Sequence, residues 1–89
     1  MKAVITVVGK DMVGILAKIA NVCAAANVNV EDVTQSILQN LFAMIMLVDI
    51  SKCTVEFNEL SKRLQEEGAA LGMDIHITRQ ELFDAMHHI

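Results

Sequence analysis

Gly9-Lys10-Asp11-Met12-Val13-Gly14-Ile15 joins two stretches of different periodicity. Before it, Ala3-Val4-Ile5-Thr6-Val7-Val8 is apolar and β-branched; after it, Ile15, Ile19, Val22 and Ala26 recur at helical spacing. The segment therefore reads as a strand-to-helix turn. Asp11 has the side chain of an N-cap, able to accept from first-turn N–H groups that otherwise lack partners. Gly14 has no Cβ, so a ligand or a second backbone can approach the positive end of the helix closely. A capped turn with a packing glycine and a ligand-binding loop are both consistent with these residues.

Outward from this turn the chain resolves into alternating elements. The first strand is apolar on both faces, as a central strand covered on two sides would be. A helix follows over about residues 12–26, with Asn27 suited to a left-handed C-cap. Val28-Asn29-Val30 opens a second strand that continues through Val33, Gln35 and Ile37, with Asp32, Thr34 and Ser36 between them; it reads as an edge strand, half solvated. Gln39-Asn40 makes a short hairpin turn. Leu41-Phe42-Ala43-Met44-Ile45-Met46-Leu47-Val48 is apolar at every position, which predicts a second central strand, dry on both faces. After a polar break, Thr54 is the best N-cap for a second helix. Its inner face is Phe57, Leu60, Leu64, Gly68 and Leu71, its outer face is charged, and Gly72 ends it. Residues 73–78 alternate as an edge strand. Thr78 and Glu81 have capping-box spacing, and Leu82, Phe83, Met86 and Ile89 supply a short terminal helix.

The order is β-α-β-β-α-β with a tail helix, an α+β, ferredoxin-like arrangement formed by residues 1–89 as one domain. Connection rules place both long helices on one face of a four-stranded antiparallel sheet. The other face must still carry apolar side chains in either register of the central strands, and exposing them costs about 25 cal/mol per Å². The tail helix, a second subunit, or both should cover it. The chain has 89 residues with 54% apolar content, and its mean hydropathy is +0.46. A chain this short alone buries only about 60–65% of its unfolded surface. Both facts point to an oligomer.

Composition excludes several functions. Net charge is −4, and Lys2, Lys10, Lys18, Lys52, Lys62, Arg63 and Arg79 are scattered, so no basic stripe meets nucleic acid. Three phenylalanines and no other aromatic residues give no stacking platform for RNA. The first loop lacks the paired cysteines of a metal carrier and the arginine an acyl phosphate would need. Gly9 to Gly14 has the glycine spacing of a P-loop, but Ile15 and Leu16 stand where Lys and Ser or Thr are required. His76, His87 and His88 read as solvated side chains rather than metal ligands, and Cys23 and Cys53 as structural thiols. No cofactor is expected. No nucleophile stands beside an oriented base, so no enzyme is expected either. An apolar strand at the start, without a signal h-region or membrane span, leads to a cytoplasmic expectation with no membrane contact.

The Gly9–Ile15 loop after a first strand, together with Asn27-Val28-Asn29-Val30 opening the second, resembles an ACT domain across essentially the whole chain. The resemblance is to small stand-alone members related to those of the glycine cleavage system repressor. It implies a regulatory, allosteric module that binds an amino acid as a homodimer or higher oligomer and acts on a partner enzyme or regulator. In ligand-binding members the effector lies between the first loop of one subunit and the start of the second strand of its neighbour. Carried over by position, the ligand-binding residues are Asp11, Met12, Val13 and Gly14 from the loop and Asn27 and Asn29 from the second. Asp11 would accept from the α-ammonium, loop N–H groups would take the carboxylate, and the Asn29 amide would both donate and accept. Val13 departs from the proline that many members have before the glycine. The alternative carried by the same resemblance is a ligand-free oligomerisation or protein-interaction module.

Overall fold

The computed structural model describes residues 1–10 and 14–86. The elements run β1 (Lys2–Gly9), α1 (Ile15–Ala25), β2 (Asn29–Leu38), β3 (Leu41–Asp49), α2 (Phe57–Leu71), β4 (Asp74–Arg79) and α3 (Gln80–Met86). They form the expected ferredoxin-like βαββαβ fold with a terminal helix. The strand order is β2-β3-β1-β4 and every pairing is antiparallel. β1 and β3 are central and β2 and β4 are edges, as the hydropathy patterns require.

The core lies between the sheet and the two long helices. Ile15, Ile19 and Cys23 of α1 and Leu60, Leu64 and Gly68 of α2 meet Ala3, Ile5 and Val7 of β1, Phe42, Met44, Met46 and Val48 of β3, and Ile75 and Ile77 of β4. Alternation along β1 sends Val4, Thr6 and Val8 to the opposite face. There α3 lies mainly against β1 and β4, and Val4 is buried.

Within one chain β3 is dry on its helix-facing side, and the tail helix does not cover its other side. Leu41 is 46% and Ile45 44% exposed, because a helix of seven residues resting on β1 and β4 is too short and too far to one side to cover β3 as well. α3 itself exposes an apolar stripe beside Glu81 and Asp84, with Leu82 57% and Met86 60% exposed.

Three helix starts also differ from expectation. Gly14, at φ 77°, occupies the N-cap position of α1 without a side-chain cap, in place of Asp11. A residue in the left-handed region cannot continue a right-handed helix, so the helix begins at the next residue. Extended Glu56 precedes α2, while Thr54 is held in the preceding loop by its N–H bond to the Ala26 carbonyl, 2.9 Å away. Thr78 remains in β4 opposite Val4, and Gln80 opens α3 directly, so Thr78 and Glu81 are out of register for a capping box. His87, His88 and Ile89, and the Asp11, Met12 and Val13 of the loop, lie outside the described residues.

Candidate functional site

The start of β2 is built by the way α1 ends. Asn27 takes φ 59°, and the two bonds around it, Val28 N–H to Cys23 C=O at 2.8 Å and Asn27 N–H to Ala24 C=O at 3.2 Å, form a Schellman motif. The buried Val28 side chain sits beneath this turn, and Asn29 emerges exposed as the first residue of β2. The Asn27 amide nitrogen donates to the Lys52 carbonyl at 3.0 Å. With the Thr54–Ala26 bond, this ties the β3–α2 loop to the α1–β2 turn.

Across the sheet, Asn29 pairs with Asp49, and Asp49 pairs on its other side with Lys2. The Ser51 hydroxyl and the Ser51 backbone N–H both donate to Asp49 Oδ1, at 2.6 and 2.8 Å. The hydroxyl bond, then the backbone bond, hold the Asp49 carboxyl below the usual carboxylate range, helped by the α-ammonium of Met1 and by Lys2. That α-ammonium donates to Ser51 Oγ at 2.8 Å and lies 3.9 Å from Asp49 Oδ1. A bulge leaves Glu31 as the extra residue between Val30 and Asp32, and its carboxylate pairs with Lys2 Nζ.

Asn27, Val28, Asn29, Asp49, Ser51 and Lys52 line one hollow of about 370 Å³, in the range of small-ligand sites. Asn27 and Asn29 are among the residues the sequence offers for a ligand site, whereas Asp49, Ser51 and Lys52 are not. The signal for Asp49 and Ser51 is Asp49-Ile50-Ser51 at a strand end, which is the pattern of a side-chain-stabilised turn.

Gly14 lies elsewhere. Register puts Gly9 opposite Phe42 and Lys2 opposite Asp49, so the loop after β1 and the start of β2 sit at opposite ends of the sheet. Seven strand residues separate those ends, roughly 24 Å. Gly14 is exposed, and no heavy atom would lie within 4 Å of a Cβ there. A single chain thus brings Asn27 and Asn29 together and keeps Gly14 apart from them. Asp11, Met12 and Val13, the other loop residues of the expected site, lie outside the described residues.

Other chemistry is sparse. Cys23 is 1% exposed, and burial, with a smaller contribution from Cys53, pushes its thiol up to about 11. His76 is exposed on β4, and among the described residues no three metal-ligating side chains converge. No described helix is long and apolar enough to cross a membrane.

Comparison with known proteins agrees with this fold. A UPF0237 protein of Listeria innocua is 47% identical over 89 residues, spanning 100% of both chains. An ACT domain protein from Streptococcus pneumoniae superposes with a TM-score of 0.81 at 36% identity, over 98% of each chain. A structure described as a glycine cleavage system transcriptional repressor shares the fold, with a TM-score of 0.71 at 22% identity over 89% of this chain and 45% of that one. The family model of the ACT domain matches residues 2–78. With that model matched along most of its length, and a full-length relative sharing nearly half its residues, this chain belongs to the ACT domain family.

Proposed function

We propose that this chain is a regulatory module, not itself an enzyme, that senses an amino acid at the interface of a cytoplasmic homodimer. ACT domains are regulatory ligand-binding modules. The observation that carries the finer reading is the separation of Gly14 from Asn29. A loop at one end of α1 and a strand start at the other can contribute to one site only when a second copy, related by a two-fold axis, lays its α1 antiparallel to the first. β2 supports such a pairing: it is a ten-residue edge strand with Val30 and Ile37 exposed, and an unpaired edge of that length is a template for a second strand. Asp11, Met12, Val13 and Gly14 of one copy would then face Asn27 and Asn29 of the other. Ligand bound across both copies would stabilise one placement of the two, which a partner enzyme or regulator reads through differential contacts.

Thermal unfolding against the individual amino acids tests this, with Asn29→Ala beside the wild type. Ligand at about 100 times its Kd adds roughly 2.7 kcal/mol per site, a rise of about 10 °C or more for so small a chain. An amino acid that raises the wild-type midpoint alone supports the sensor. A flat panel at millimolar concentration overturns it.

The exposed Leu41 and Ile45 on β3, and Leu82 and Met86 on α3, favour a second reading, an interaction module whose loop is empty. A flat panel would leave that reading standing.

A further inference from the structure

We infer that Asp49, rather than a loop residue, receives the α-ammonium of the bound amino acid, and that Lys52 on the same rim receives its carboxylate. This rests on the amino-acid reading above and names two residues which that reading does not include. Asn29 and Asp49 are direct cross-strand partners, so their Cβ atoms lie on one face about 4.5–5.5 Å apart. A ligand held by the Asn29 amide is therefore within reach of the Asp49 carboxylate, and both residues line the same hollow as Lys52.

The Asp49 side chain is prepared for this role. Ser51 places both of its bonds on Oδ1, which fixes the carboxylate plane, and among the described residues Oδ2 accepts none. A carboxylate whose orientation is already fixed loses little further freedom on binding. The Met1 α-ammonium lies on the Oδ1 side, bonded to Ser51 Oγ, and is not part of the hollow's lining. Lys2 pairs directly with Glu31, and neither is part of the hollow's lining. The hollow's own lining thus includes one acidic residue, Asp49, and one basic residue, Lys52, with Asn29 beside them: the residue types that complement a zwitterion. A 2-hydroxy or 2-oxo acid would satisfy Lys52 and bring no donor of matching charge to Asp49. Charge-assisted hydrogen bonds of this kind are the strong ones.

The test is equilibrium binding by the full-length chain of glycine, alanine, serine and the other amino acids one by one. Each amino acid that binds is compared with the 2-hydroxy acid in which a hydroxyl replaces its ammonium, such as glycolate for glycine and lactate for alanine. The wild type should prefer the amino acid by about tenfold or more. Asp49→Asn should abolish that preference, losing affinity for the amino acid and keeping or gaining it for the hydroxy acid. Lys52→Gln should weaken both ligands alike. The ratio of the two affinities within one variant is insensitive to a general loss of stability. Amino-acid binding that depends on Asn29 but is unchanged in Asp49→Asn overturns the inference and leaves the sensor intact. A wild type that binds no amino acid removes both.

Discussion

Gly68 of α2 packs directly on β4 at Ile75: a Cβ on Gly68 would lie 2.8 Å from Ile75 Cγ1 and 2.7 Å from the Met73 carbonyl oxygen. That approach sets the distance between α2 and the sheet. The same glycine accepts the Met73 N–H at 2.8 Å in the turn that ends the helix. Gly68→Ala gains about 1 kcal/mol in helix propensity but drives a methyl into backbone and a buried isoleucine. The net effect is expected to be destabilisation by about 1–2 kcal/mol, read as a lower urea midpoint at unchanged slope.

Asn27 combines two roles that a pair of substitutions separates. Asn27→Gly keeps the left-handed turn and loses the bond to the Lys52 carbonyl, whereas Asn27→Ala loses both. The glycine variant should cost about 0.5–1.5 kcal/mol and the alanine variant about 1 kcal/mol more, measured by chemical unfolding of both beside the wild type.

Cys23 makes stability depend on alkaline pH. Its folded thiol is pushed up to about 11 against an ordinary value of 9.0, so the group stabilises the fold fully below pH 9. Between pH 9 and 11 the unfolded chain loses this proton while the folded chain keeps it, so stability falls as pH rises. The expected loss across that window is about 2–3 kcal/mol, and Cys23→Ala should flatten the profile. Iodoacetamide at pH 8 should alkylate partly exposed Cys53 well before buried Cys23, as peptide mapping would read.

Ile37 tests the edge-to-edge pairing of two copies. It is 64% exposed on β2, so a charge there costs a single chain within about 0.5 kcal/mol. Across a paired edge, a lysine here would set a charge against the partner's strand in place of an apolar contact. Ile37→Lys should keep the wild-type circular dichroism spectrum while sedimentation shows self-association weakened by about tenfold or more. Unchanged association would move the dimer contact away from β2.

What the sequence determined by itself is local and periodic. Period-two and period-3.6 patterns located all seven elements; Asn27 and Gly72 marked helix ends because few residues tolerate positive φ; and the Gly9–Ile15 loop with Asn27-Val28-Asn29-Val30 carried the family. Those signals need only neighbouring residues. Helix starts were less legible, since Thr54 and Asp11 have the side chains of caps, and whether they serve as caps depends on bonds and φ angles set by distant partners. Only the tertiary structure decided that Asp49 stands beside Asn29, twenty residues away in the chain, because strand register is fixed by which faces must be buried. It also decided that Gly14 stands at the far end of the sheet from both, since a right-handed crossover returns α1 antiparallel to β1. The exposure of Leu41 and Ile45 belongs to the same class: an apolar run states what would be buried, and the reach of α3 states how much of it is.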